Sequence, residues 1–333
     1  MAPFDAFRIH GDDARVDARL ERLTLDALSP GEVVIRVAWS GINYKDALAA
    51  TGKGRILRRF PLVGGVDLSG VVVESTEAQF APGARVLVTG CGLSETRDGG
   101  YAQIARVPAD AVVPLPASLD LRGAMAIGTA GFAAALAVHR MEHNGLVPGQ
   151  GPVVVTGATG GVGSLAIDML AGRGHEVVAV TGKPEASGDY LRALGASTVL
   201  GRDALALSGR PLEPARWAGA VDNLGGAMLS YLLRSCQPWG SVASVGLAAG
   251  ADLATSVMPF ILRGVNLLGV NSAATRRDER LALWRRIGTD LLPRHLDRIV
   301  TDTVTLPTLR AAFDRFIDGT NTGRTLVRIS GDT

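Results

Sequence analysis

The stretch VVVTGATGGVGSLAIDML, Val153 to Leu170, constrains the fold more than any other part of the chain. It opens as a β-branched strand, crosses a turn holding Gly157, Gly160, Gly161 and Gly163, and continues as an apolar helix. Glycines let a backbone approach an anion closely, and the helix N-terminus beyond them presents N–H groups and partial positive charge. In a βαβ unit this combination holds a dinucleotide pyrophosphate. The spacing here is three and three, with Ala158 or Thr159 where the close pair of G-x-G-x-x-G would stand. The context strengthens the motif: a strand before it and an amphipathic helix after it, within roughly thirty residues. Gly157, Ala158, Thr159, Gly160, Gly161, Val162 and Gly163 are the expected pyrophosphate loop.

The texture around the loop predicts a doubly wound parallel sheet. Strands Glu176 to Val180, Gly219 to Asn223, Ser241 to Gly246 and Val265 to Val270 alternate with helices Val162 to Gly172, Asp189 to Leu194 and Gly226 to Ser235. An Ala-rich helix, Ala124 to Met141, precedes them. Before it the chain is β-rich, with strands Glu32 to Ile42, Asp67 to Ser75 and Ala84 to Gly90. The tail mixes a strand, the helix LRAAFDRFIDG and the closing strand RTLVRIS. The expected organisation is a β-rich domain, residues 1–123 and 271–333, with an α/β domain, residues 124–270, inserted in it.

The nucleotide is read at the end of the second strand. An NAD site has an Asp or Glu there for the ribose 2′-hydroxyl. This chain has Thr181, Gly182 and Lys183, which suit a 2′-phosphate and so NADP(H). Tyr190 and Arg202 are further candidates for the adenosine end. The turn also fits T-G-x-x-x-G-x-G of short-chain dehydrogenases. Those need a Tyr-x-x-x-Lys, which none of Tyr44, Tyr101, Tyr190 or Tyr231 begins.

Bulk composition excludes other classes. The net charge of +2 over 333 residues, with charges scattered, gives no surface for nucleic acid or membrane. No apolar window of membrane length is evident, the N-terminus is acidic where a signal peptide would be apolar, and a cytoplasmic protein is expected. Cys91 and Cys236 provide neither a disulfide framework nor a four-ligand zinc site. HRMEH, His139 to His143, matches His-x-x-Glu-His but closes an Ala-rich helix with no third ligand in view, and reads as a polar helix end. His10, His175 and His295 have no evident partner.

Several motifs resemble the medium-chain dehydrogenase/reductase superfamily, and within it the zinc-independent, quinone-oxidoreductase-like branch of acrylyl-CoA reductase type. They are SGINYKDALAATGKGRILRRFPLVGGVDLSGVVVES, DGGYAQIARVPAD, AIGTAGFAAALAV, VTGATGGVGSLAI, VDNLGG and LLGVNS, in order along nearly the whole chain. The resemblance implies a Rossmann domain inserted in a GroES-like catalytic domain. It also implies NADPH-dependent reduction of the double bond of a short enoyl-CoA, acryloyl-CoA to propionyl-CoA, with NADPH:quinone or enone reduction as the alternative. A third reading is an NADPH-binding protein without turnover. Where zinc relatives carry a Cys and a Gly-His-Glu, this chain reads Gly41-Ile42-Asn43 and Gly65-Val66-Asp67, so no metal is expected.

By the same resemblance, Asn43 contacts the nicotinamide ribose or the substrate, and Tyr44 is a donor or a pocket wall. Asp46 holds their loop, and Thr129 starts the helix beside the nicotinamide. Thr129 and water are further candidates for the proton donor, because the Gly-x-Tyr of some enoyl reductases is Gly52-Lys53-Gly54 here. Asn223, Gly246, Leu247, Val270, Asn271 and Ser272 follow sheet strands and are expected to frame the cofactor. Arg324 matches a basic position near phosphates. Arg55, Arg58 and Arg59 are candidate partners for CoA phosphates. The last Rossmann strand is expected to pair with its twin in a homodimer.

Overall fold

The structure, a computed structural model, describes residues 1–12, 15–205 and 210–331. These form two compact units. The first takes in Met1–Thr129, Ser272–Gly288 and the chain from Val300 onward; the second takes in Ala130–Asn271 and Thr289–Ile299.

In the first unit β1 (Phe4–Gly11) and β2 (Val16–Leu23) pair antiparallel. Neither strand was evident from sequence, because β2, VDARLERL, faces solvent and carries charges through its apolar positions. Next come β3 (Val33–Ile42), α1 (Tyr44–Thr51), β4 (Leu62–Val63), β5 (Asp67–Ser75), β6 (Arg85–Thr89), β7 (Ile104–Val107) and β8 (Val113–Pro114). The hairpin joins β4 in a small sheet, and β3 is the spine of a larger one. Nine of the ten residues of β3 are buried, because it pairs with β5, β7 and a strand from the tail.

Helix α2 (Leu121–His143) is Ala-rich as expected but interrupted: Gly128 has φ 52° and ψ −154°. By length and composition α2 could cross a membrane, which corrects the expectation that no such window exists; 83% of the window is buried, so it is a core helix.

The second unit is the expected doubly wound sheet. It contains β9 (Val153–Thr156), α3 (Gly161–Gly172), β10 (Val177–Thr181), α4 (Pro184–Ala193), β11 (Thr198–Gly201), β12 (Trp217–Asp222), α5 (Gly226–Ser235), β13 (Cys236–Ser244), α6 (Met258–Arg263) and β14 (Asn266–Gly269). All pairings are parallel, in the order β11-β10-β9-β12-β13-β14. The order reverses at β9, which makes its carboxyl end the switch point where such sheets bind ligands. Helix α4 begins five residues earlier than expected, with Pro184 in its first turn, where proline is tolerated.

The tail supplies α7 (Arg277–Ile287), α8 (Leu296–Ile299), β15 (Val300–Thr305), α9 (Leu309–Ile317) and β16 (Arg324–Arg328). Leu309, Ala312, Phe313 and Phe316 form the buried stripe of α9 and pack into a core with Phe7 and Tyr101. Strand β16 lies antiparallel to β3, which sets Thr325 opposite Ile42. The segment Thr289–Ile299 is anchored by Asp168 of α3, whose buried carboxylate accepts from the N–H groups of Arg294 (2.8 Å) and His295 (2.9 Å) and faces His295 Nδ1 at 2.9 Å. His295 therefore has a partner after all. So does His10, whose Nε2 lies 2.6 Å from Glu21.

Candidate functional site

The glycine turn of the second unit has the shape a phosphate loop needs. Gly157 adopts φ 57°, a left-handed conformation that disfavours other residues. A Cβ at Gly163 would sit 2.5 Å from the Gly157 carbonyl oxygen and 2.8 Å from Ala158 Cα, so only hydrogen lets α3 approach β9 this closely. Helix α3 starts at Gly161, with Gly160 as its cap and no capping side chain, so its first N–H groups lack a side-chain acceptor. The donors and the dipole are arranged to receive an anion.

The neighbouring strand ends are tied together by a group that sequence reasoning missed. Asp222, fully buried at the end of β12, accepts from Thr156 Oγ1 at 2.6 Å and from Gly225 N at 2.8 Å. Burial raises its pKa. Asn223 donates through Nδ2 to the Thr156 carbonyl at 2.7 Å. Gly246 N donates to the Asp222 carbonyl, and a Cβ on Gly246 would meet the Asn223 carbonyl oxygen at 2.6 Å. Pyrophosphate-loop and strand-end candidates thus come together around the switch point. Leu247 is 64% exposed beside them, and Val270 N bonds the Ser244 carbonyl. Asn271 is exposed and Ser272 half-buried.

At the end of β10, Thr181 is buried and its hydroxyl accepts from Lys183 N at 3.2 Å. The Arg202 guanidinium lies beside Gly182, 3.5 Å from where a Cβ would stand. Lys183 follows Gly182 directly in the chain. Tyr190 donates to Ser164 Oγ at 2.8 Å, joining α4 to α3, and burial pushes its phenol up to about 12.

The first unit holds a second polar constellation, built around the break in α2. The Arg324 side chain is buried and donates to four oxygens: Met125 O (3.1 Å), Ala126 O (3.3 Å), Ile42 O (3.0 Å) and Asn43 Oδ1 (3.0 Å). Asp67 accepts from Gly41 N (3.0 Å), Asn43 Nδ2 (3.0 Å) and Thr129 N (2.9 Å), and lies 3.8 Å from Arg324. The cation faces carbonyls ending the first half of α2, and the anion faces the first N–H of the second half. Each matches the helix-end charge it meets. Gly128 makes this possible, since a Cβ there would lie 2.7 Å from Arg324 Nη2 and 2.8 Å from Asp67 Oδ2.

Asp46 is buried below Asn43. Its carboxylate accepts from Asn43 N (2.9 Å) and Val66 N (3.0 Å). Burial, and then the charge of Asp67, raise it to about 7. Tyr101 donates to the Gly41 carbonyl at 3.0 Å, and burial raises its phenol well above 10. Asn43, Asp46, Thr129 and Arg324 are therefore brought together. Asp67 and Tyr101 complete the cluster and were not singled out as site residues, since their partners lie far away in sequence. Thr129 Oγ1 is buried with no hydrogen-bond partner among the described residues.

Tyr44 is 47% exposed at the start of α1. Arg55 and Arg58 are exposed; Arg59 is exposed but donates to Thr96 O (2.9 Å) and Ser29 Oγ (2.7 Å). Lys45 pairs with Glu95. Glu142 of the His-x-x-Glu-His run pairs with Arg173. Where zinc relatives carry a Cys and a Gly-His-Glu, Asn43 Oδ1 is bonded by the Arg324 guanidinium, Asp67 lies 3.8 Å from the same guanidinium, and Val66 has no donor atom for a metal.

Two family models match: the alcohol dehydrogenase GroES-like domain over residues 29–117 and the zinc-binding dehydrogenase model over residues 161–291. The chain is 45% identical to acrylyl-CoA reductase AcuI of Ruegeria pomeroyi over 98% of its own length and 99% of that protein. It is equally similar, 45% over 98% and 99%, to the "Putative quinone oxidoreductase YhfP" of Bacillus subtilis, whose structure with NAD bound superposes with a TM-score of 0.95 at 98% and 100% coverage. The structure of Escherichia coli K-12 YhdH with bound NADPH gives a TM-score of 0.93 at 44% identity, over 97% of this chain and 99% of that one.

Proposed function

The chain belongs to the medium-chain dehydrogenase/reductase superfamily, and from that premise we propose that it is a zinc-independent, NADPH-dependent reductase of a short enoyl-CoA, acryloyl-CoA to propionyl-CoA. The observation that carries the reading is 45% identity over 98% of the chain to a relative named an acrylyl-CoA reductase.

The residues present fit the cofactor. The Gly157–Gly163 turn holds the uncapped N-terminus of α3 against the end of β9, an approach that a Cβ at Gly163 would block. Lys183 and Arg202 near Gly182 supply cations for a 2′-phosphate, and Thr181-Gly182-Lys183 holds no acidic residue where an NAD site has one. NADPH, when bound, supplies hydride to the β-carbon of the enoyl thioester.

The protein's part is orientation and electrostatic support where charge develops. We assign Thr129 Oγ1 to the thioester oxygen. A buried hydroxyl without a partner costs about 1–3 kcal/mol, which a pairing ligand oxygen recovers. Asn43 has its amide fixed at both ends, Oδ1 by Arg324 and Nδ2 by Asp67, and so presents a rigid wall. Asp46 holds the Asn43 backbone. Tyr44, 47% exposed, is assigned to protonation of the α-carbon, directly or through water. Arg55 and Arg58 are assigned to CoA phosphates.

The second reading is NADPH:quinone reduction, favoured by the equal similarity to YhfP. Initial rates of NADPH loss with acryloyl-CoA against 1,4-benzoquinone at matched concentrations separate the two. A dominant CoA-ester rate supports the first reading, and a dominant quinone rate replaces it with the second.

The protein is assigned to the cytoplasm as a homodimer. Strand β14 is a sheet edge with Leu267 exposed, and Ile261 and Leu262 of the neighbouring α6 are exposed as well, a surface that a second copy would cover.

A further inference from the structure

We propose that Asp67 is a positioning residue of the reducing site, a single carboxylate that sets the placement of Asn43 against Thr129. Three N–H donors converge on its two oxygens at 2.9–3.0 Å, from Gly41, Asn43 and Thr129. They come from the end of β3, the entry to α1 and the second half of α2. The carboxylate is completely buried, so water does not take over any of these bonds.

The chemistry requires an acid at this position. An ionised carboxylate only accepts, whereas a carboxamide of the same shape would turn an N–H₂ toward one of the three donors. Arg324 supplies the countercharge at 3.8 Å and binds the other end of the Asn43 amide. Gly41 and Gly128 lack side chains where a Cβ would strike the Arg324 guanidinium, and at Gly128 also the carboxylate. The space is thus kept clear for this pair. Asp67 acts through Asn43 and Thr129, so the inference rests on the roles proposed for those two residues.

The test is Asp67→Asn, read as kcat per NADPH-binding chain. The pyrophosphate and 2′-phosphate contacts proposed for NADPH lie in the second unit, so its stoichiometry counts folded chains. The expected result is one NADPH per chain with Kd within threefold of the parent, and kcat lowered thirtyfold or more. Adding Asn43→Ala to Asp67→Asn should cost less than threefold further, although Asn43→Ala alone costs tenfold or more. A kcat per binding chain within threefold of the parent overturns the assignment, and so do losses that simply multiply. Should Asp67→Asn fail to fold, Gly128→Ala presses on both the carboxylate and the Arg324 guanidinium without discharging either. Loss of kcat at unchanged NADPH affinity is again expected, and retention of kcat again contradicts it. If the parent turns over only 1,4-benzoquinone, the enoyl-CoA reading fails while Asp67 is still tested on the quinone rate.

Discussion

The Arg324 guanidinium and the Asp67 carboxylate lie 3.8 Å apart in the break of helix α2, each against the helix end of opposite partial charge. An arginine from the last strand thereby holds together β3, α1 and α2, and the interruption at Gly128 is the space this ion pair occupies.

Arg324→Met should be among the most destabilising single changes in the first unit. It leaves Asp67 buried without its countercharge and four acceptors without a donor. A loss of about 3–5 kcal/mol is expected, measured as the shift in guanidinium chloride unfolding.

Asp46 should make stability fall with rising pH. Below about pH 4 the carboxyl is protonated in both folded and unfolded chains. Between there and about pH 7 the unfolded chain releases the proton and the folded chain keeps it, held by burial and by the facing charge of Asp67. Stability is lost across that window, on the order of 4 kcal/mol for a shift of this size, and the loss is complete above it. Asp46→Asn should flatten the profile, which unfolding at pH 5, 6, 7 and 8 would detect.

Lys183→Ala with Arg202→Ala should weaken NADPH about 10- to 100-fold, the scale of one or two charge-assisted hydrogen bonds, and leave NADH within threefold. Fluorescence titration with both nucleotides checks this. Equal weakening of both would remove the 2′-phosphate assignment. The NAD-bound YhfP relative makes the comparison informative.

On the proposed pairing of β14 with its twin, the parent should be a dimer by light scattering and Leu267→Lys a monomer, because a charge on an edge strand disfavours pairing.

Features set by local pattern were legible in the sequence. The strand–glycine–helix unit, the α/β alternation and the tail helix α9 follow from spacing over a few residues, and the structure reproduces them. What was not legible depends on distant partners. Asp67 finds Gly41, Asn43 and Thr129 across 24 to 62 residues, and Arg324 finds Asn43 across 281. Asp67 stood out only as a position without a zinc ligand. The break in α2 was hidden because a lone glycine in an Ala-rich run is compatible with a continuous helix. The return of Thr289–Ile299 to the second unit depends on Asp168, which reads as one polar residue on an otherwise apolar helix.

The central claim is hydride transfer from NADPH to the β-carbon of an enoyl thioester, and isotopic labelling tests it most directly. The protein would be given acryloyl-CoA and NADPH carrying deuterium at the transferable position of C4, and the product analysed by mass spectrometry and NMR. The account predicts propionyl-CoA with one deuterium, at C3, and a solvent proton at C2. NADPH consumption only when a quinone is added, with acryloyl-CoA recovered unchanged, would contradict it.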